Sequence, residues 1–125
     1  MKKIIKTENA PAPIGPYNQA VLSGNTLYTS GQIAINPKNG ELVIDEIKAE
    51  TKMVMENLKA VIFEAGMDFS NVVKCSIFIS DMNNFAQINE VYGAYFADNF
   101  PARETVEVAC LPKNVDVEIS AIAIK

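Results

Sequence analysis

Val115-Asp116-Val117-Glu118-Ile119-Ser120-Ala121-Ile122-Ala123-Ile124 alternates strictly. Val117, Ile119, Ala121 and Ala123 fall on one face, and Glu118, Ser120, Ile122 and Ile124 on the other. A period of two is that of a β-strand whose sides meet different surroundings. The first face is wholly apolar and requires a packed layer. The second mixes a carboxylate and a hydroxyl with two isoleucines, too apolar for an open surface. Just upstream, Glu104–Cys110 alternates as well, and Leu111-Pro112-Lys113-Asn114 separates the two runs. If that loop closes a hairpin, Cys110 pairs with Val115 and Glu107 with Glu118. In that register Arg103 and Thr105 share the face of Glu118 and Ser120. Arg103 lies opposite Ile122, its backbone roughly 13 Å from that of Glu118.

Working outward, Tyr17–Leu22 and Thr26–Ser30 flank Ser23-Gly24-Asn25 and predict a second hairpin. Gly31 interrupts the second run, as a bulge or a close approach by another group would require. From Asp45 to Ala65, Ile47, Thr51, Val54, Leu58, Val61, Ile62 and Ala65 mark one face of a helix, with Asp45 or a neighbour to cap it and Gly66 to end it. Val72–Ser80 is an apolar strand run. Asn83 or Asn84 then caps a second helix with Phe85, Ile88, Tyr92, Tyr95 and Phe96 on one face, a stripe that reads as core. Pro101 prevents its continuation. The order β-β-α-β-α-β-β predicts an α+β sandwich: a mixed sheet with two helices on one face, in a single domain over residues 1–125. The half-apolar face of the last strand then lies away from the helices, and calls for a homo-oligomer of closed symmetry with a pocket near its interface.

The 125 residues carry a formal net charge of −4, and the pI is near 4.8. Such a chain lacks the basic stripe of a nucleic-acid binder, so no nucleic-acid partner is expected. Lys2, Lys3 and Lys6 read as a solvated tail and edge. No apolar run is long enough for a membrane span and no signal-peptide core follows the N-terminal lysines, so no membrane partner and a cytoplasmic location are expected. Cys75 and Cys110 are far apart in sequence, in no metal or disulfide pattern. Histidine is absent. No Ser-His or Cys-His pair can form, and acid–base chemistry falls to carboxylates, tyrosine, lysine or bound water. No metal site is expected.

Arg103 is the sole arginine among ten lysines. Its planar guanidinium grips a carboxylate with two parallel hydrogen bonds, which a lysine cannot do. Set at a strand start just after Pro101, it is the best candidate for recognising a small carboxylate. Ala10-Pro11-Ala12-Pro13-Ile14-Gly15-Pro16-Tyr17 is too proline-rich for a helix and holds Tyr17 at its end, where ring or hydroxyl can face a site or simply pack at a strand edge.

Ile14-Gly15-Pro16-Tyr17-Asn18-Gln19-Ala20, Ser30-Gly31-Gln32, Glu56-Asn57-Leu58-Lys59-Ala60-Val61, and Pro101-Ala102-Arg103 followed by Val117-Glu118-Ile119 resemble, in order, the RidA family of reactive intermediate deaminases. The resemblance implies a chorismate-mutase-like fold, homotrimers with clefts between subunits, and no cofactor. It implies hydrolysis of 2-aminoacrylate and 2-iminobutyrate to 2-keto acids and ammonia. By the same resemblance Arg103 holds the substrate carboxylate, and Glu118 positions or activates water. The Thr105 backbone orients that water and the imine nitrogen. Ser30 and Gly31 line the cleft, Tyr17 closes it, and Asn89 lies near it. Thr105, where many relatives have cysteine, together with Glu104 and Cys110, departs from the family pattern. A non-catalytic trimeric sensor of small 2-keto acids is the alternative. A ribonuclease or translation inhibitor, names that some relatives carry, fits an acidic chain without histidine less well.

Overall fold

The computed structural model describes residues 1–125. Six strands form one mixed sheet: β1 (Lys2–Ile5), β2 (Ala20–Ser23), β3 (Thr26–Thr29), β4 (Val72–Ile79), β5 (Ala102–Glu107) and β6 (Val117–Ile124). Their spatial order is β1-β2-β3-β6-β4-β5; β4 and β5 run parallel and every other neighbouring pair antiparallel. Two helices, α1 (Ile47–Glu64) and α2 (Phe85–Gly93), cover one face, as the alternation predicts.

Helix α1 starts where Glu46 turns its carboxylate onto the amides of Lys48 and Ala49, at 2.8 and 3.0 Å, satisfying two of the donors a helix start leaves open. It ends at Ala65 with Gly66 at φ +77°, a left-handed backbone that favours glycine. Val54, Met55, Leu58, Val61 and Ile62 pack on Leu27, Val117, Ile119, Ala121 and Ala123 in one core. Side chains of α2 and the segment after it close the far end: Tyr92 and Phe96 have ring centroids 5.0 Å apart, and Phe96 and Phe69 5.2 Å. Tyr95 and Phe96 thus join the predicted stripe from just beyond the helix.

Two expectations are corrected. An additional strand, β1, pairs with β2 through Lys2↔Ser23 to Ile5↔Ala20, so the lysine-rich start is an edge strand; Ile5 is buried while Lys2 and Lys3 stay exposed. Charged side chains on such an edge discourage pairing with another sheet. The C-terminal hairpin, in contrast, does not form. Strand β4 lies between β5 and β6, pairing Cys75 with Arg103 on one side and with Ala121 on the other. The reason is in the connections. Strand β4, helix α2 and strand β5 make a βαβ crossover, which places β5 parallel beside β4. The chain then leaves β5 at Glu107 and crosses through a 3-10 turn at Pro112–Asn114, with Lys113 and Asn114 both at φ 56°, before β6 begins. Residues 108–116 are therefore a crossing segment, not a tight turn.

The sheet face away from the helices carries Ile4, Tyr28, Val106 and Ile124, all at least 40% exposed, among Ser76, Ser120, Lys74 and Glu104. This is the half-apolar surface anticipated from β6.

Candidate active site: two half-sites on opposite faces of the sheet

Register decides which predicted residues meet. Arg103 aligns with Cys75 and Ala121, and Thr105 with Ile77 and Ile119, so both belong to the helix-covered face. Glu118 aligns with Phe78, and Phe78 with Val106, on the opposite face. Arg103 and Thr105 therefore do not share the face of Glu118 within one chain, and Arg103 stands opposite Cys75, not Ile122. Two strand spacings across and three residues along separate the Arg103 and Glu118 backbones by roughly 14 Å. Glu104 does point away from Arg103: on the outer face it pairs with Lys74 at 2.9 Å and accepts from the Ser76 hydroxyl, contacts that hold its carboxyl below the ordinary range.

The Arg103 side is built by β5 and α2. The guanidinium lies over two rings, 5.5 Å from the Phe85 centroid and 5.2 Å from that of Tyr92, and donates from Nη1 to Asn89 Oδ1 at 2.6 Å. Phe85, Asn89 and Tyr92 are four and three residues apart, so one helical face presents all three. The cationic fork is thereby oriented by ring faces and one amide oxygen, with no carboxylate bonded to it. Asn89, Tyr92, Gly93, Phe100, Pro101 and Arg103 line a hollow of about 470 Å³. Thr105 lies next along β5, its Oγ1 buried without a hydrogen-bond partner.

The Glu118 side is built by β6, the end of β3 and the proline-rich strap before β2. Tyr28 pairs with Ile122, yet Gln32 bridges Ile119, so residues 28–32 hold one residue more than their partner: a bulge at Ser30-Gly31. The Glu118 side chain lies across that bulge. A Cβ added to Gly31 would stand 2.7 Å from Glu118 Cδ, so only glycine admits the carboxylate there. The Ser30 hydroxyl donates to Asn18 O at 2.5 Å. Tyr17 is half-exposed and its hydroxyl accepts from the Ile14 amide at 3.4 Å. Tyr17, Ser30, Gly31 and Glu118 with Ile14 and Ile33 line a cavity of about 380 Å³. Burial pushes the Glu118 carboxyl above its ordinary value, and no neighbouring charge offsets it.

Of the predicted site residues, Tyr17, Ser30, Gly31 and Glu118 converge on one side, and Arg103 and Asn89 on the other with Thr105 nearby. The rings of Phe85 and Tyr92, part of the aromatic core stripe, also buttress the arginine. Their helical spacing from Asn89 was the available signal. A further buried carboxyl, Glu50 of α1, accepts from the amides of Asp116 and Val117 at 2.7 and 3.2 Å, while its Oε1 has no partner. Its pKa is pushed up to about 7, first by burial and next by the Asp116 side chain. No group of three or more Cys, Asp or Glu side chains converges to hold a metal, and no helix is long and apolar enough to cross a membrane.

Known proteins resemble this chain in sequence and fold. The family model described as Endoribonuclease L-PSP matches residues 7–125. A RutC family protein of Pyrococcus horikoshii is 53% identical over 125 residues, which cover 100% of this chain and 99% of that protein. The 2-iminobutanoate/2-iminopropanoate deaminase of Escherichia coli is 48% identical over 128 residues, covering 100% and 99%. The crystal structure of Escherichia coli TdcF with bound serine superposes with a TM-score of 0.94 at 43% identity, covering 98% of each chain. With a family model matched across almost the whole chain and deaminases among its full-length relatives, the chain belongs to the RidA (endoribonuclease L-PSP) family.

Proposed function

We propose that the protein is a hydrolytic deaminase of small 2-imino acids, working as a homotrimer whose sites form between subunits. The observation that carries this reading is the split site. One side of the sheet offers a carboxylate-binding fork, and the other a carboxyl raised by burial and bordered by a glycine bulge; each lacks what the other has. A second copy docked on the half-apolar outer face brings the Glu118 side of one subunit to the Arg103 side of its neighbour. The names of its relatives, deaminases of 2-iminobutanoate and 2-iminopropanoate, support the same chemistry.

In this mechanism the Arg103 fork, held by Asn89, takes the substrate carboxylate in two hydrogen bonds. The imine carbon is already electrophilic, so no nucleophilic side chain is needed. Glu118 accepts a proton as water adds to that carbon and passes it to the imine nitrogen, giving a tetrahedral intermediate with a hydroxyl and an amino group. It then takes the hydroxyl proton as C=O forms and delivers it to the amino nitrogen as the C–N bond breaks. The products are the 2-keto acid and ammonia. The Thr105 backbone orients the attacking water, Ser30 and Gly31 line the cleft and Tyr17 closes it. A carboxyl whose pKa lies above the ordinary range suits a general base working near neutral pH. Orienting water, base and substrate contributes several kcal/mol of the barrier reduction. The family model's description names an endoribonuclease, but a net charge of −4 and the lack of histidine weigh against RNA cleavage.

The test is ammonia release when a threonine dehydratase generates 2-iminobutanoate in the presence of the purified protein, with the mass in solution measured alongside. Faster release by a trimer is expected. A monomer, or a trimer that binds 2-ketobutanoate without accelerating imine loss, contradicts the proposal and favours a sensor.

A further inference from the structure

The wall of the Glu118 cavity opposite the sheet is the strap that runs from Thr7 to Tyr17, contributing Pro11, Ala12, Ile14 and Tyr17. Prolines at 11, 13 and 16 remove three backbone donors from it. Among backbone–backbone hydrogen bonds outside the helices and strands, only Tyr17 N to Gly15 O, at 2.8 Å, lies within the strap, and none joins residues 7–16 to the sheet. Its polar attachment is a single side chain. Gln19 is 2% exposed at the entrance to β2. Its Oε1 accepts from the Thr7 amide at 2.7 Å, while Nε2 donates to the carbonyls of Thr7, Ala10 and Pro11 at 3.0, 3.2 and 2.9 Å. Two N–H bonds thus serve three carbonyls, and every polar atom of the amide is committed to the strap. Gln19 itself is fixed by the sheet: its carbonyl accepts from Ser30 N at 2.9 Å, next to the bulge that receives Glu118. Beyond Gln19, Ala10 is buried in the main core and Thr7 is also buried.

We propose that Gln19 is a positioning residue that holds the Thr7–Tyr17 strap as the substrate-facing wall of the Glu118 cavity. The inference rests on the reading of that cavity as half of a deaminase site. Gln19 also borders the cavity, but the polar atoms of its amide are committed to the strap, so in this scheme it acts through Pro11, Ala12, Ile14 and Tyr17. Its loss therefore weakens ground-state binding more than the chemical step, which belongs to Arg103 and Glu118.

Two variants of the full chain test this. Gln19→Ala removes the clamp. Gln19→Glu keeps the size and the acceptor for the Thr7 amide but replaces the amide donors with an oxygen that faces three carbonyls. The first measurement is backbone amide NMR order parameters. Strap values near 0.85 in the parent and below about 0.6 in the variants are expected, with α1 and β6 unchanged. The second is a titration with 2-ketobutanoate, expected to weaken about tenfold, and a matching rise in KM for 2-iminobutanoate with a smaller change in kcat. A strap equally ordered in parent and Gln19→Glu overturns the proposal whatever the catalytic result. So does a loosened strap with unchanged keto-acid affinity. A parent without deaminase activity counts against the assigned reaction instead, and the order parameters still decide the clamp.

Discussion

Arg103 and Glu118 are charged side chains that the fold treats in opposite ways. Arg103 is supported from several directions: two aromatic rings beneath its guanidinium and an amide oxygen on Nη1. Glu118 lies against a glycine bulge with burial raising its pKa and nothing countering the rise. An oriented cation suits binding an anion that is always charged. A carboxyl left short of solvation suits taking up a proton. The contrast teaches that the proposed binding and proton-transfer groups lie on different faces of the sheet, so that one chain holds both groups but does not bring them together.

The largest expected effect comes from removing the fork. Arg103→Ala should lower kcat/KM about a thousandfold or more, and Arg103→Lys should recover only a small part, because orientation is lost along with the second hydrogen bond. Retention of near-parent activity by Arg103→Lys would reduce the fork to a simple charge. Next comes Gly31→Ala, which pushes the Glu118 carboxylate off the bulge and should cost about a hundredfold in kcat without changing the oligomer. On the other side, Asn89→Ala frees the guanidinium without discharging it and should cost about tenfold, mostly in KM.

The pH dependence sharpens the comparison. As the proposed base Glu118 must act deprotonated, so kcat/KM should fall as the solution is acidified through its pKa, and the fall should begin closer to neutrality than for an ordinary carboxylate. A rate constant through the weakly acidic range, down to the ordinary carboxylate pKa, would argue against Glu118 as base. Stability carries the opposite sign. A carboxyl raised by folding favours the native state while protonated, and its contribution is lost as pH rises from the unfolded value. Glu50, pushed up to about 7, should therefore cost stability progressively between about pH 4.5 and 7. Glu50→Gln keeps an oxygen for the Asp116 and Val117 amides and has no charge to bury. It should flatten that profile and raise stability at pH 8 by about 2 kcal/mol, seen in urea melts at several pH values. Activity should remain at the parent level, which separates a buried structural carboxyl from the catalytic one.

The alternation of β6 disclosed which of its faces is core, and the 4-3-4-3 spacing of α1 disclosed the helix that covers it. Gly31 as a bulge was equally legible, since few other roles suit a glycine inside a strand run. Neighbour relations were not. Alternation sets the face of each residue within a strand but not which strand lies beside it, and β4 pairs as well with β6 as the supposed hairpin partner would have. The helical pattern between Val72–Ser80 and Glu104–Cys110 is the sign of a parallel crossover. Inserting β4 leaves β5 antiparallel to β6 but shifts their alignment by one residue, so that Arg103 is in line with Ala121 and not Ile122, and that odd shift puts Arg103 on the other face from Glu118. The candidate residues are thus nominated by motif and chemistry, while their division between faces emerges only with the register.

The central claim is that each working site takes Arg103 from one subunit and Glu118 from another. The most direct test mixes two inactive proteins, Arg103→Ala and Glu118→Gln, under conditions that exchange subunits. Random reassembly puts an intact Arg103 beside an intact Glu118 in about a quarter of sites, so activity should return to about a quarter of the parent level. Mixed oligomers that form and remain inactive would contradict the account.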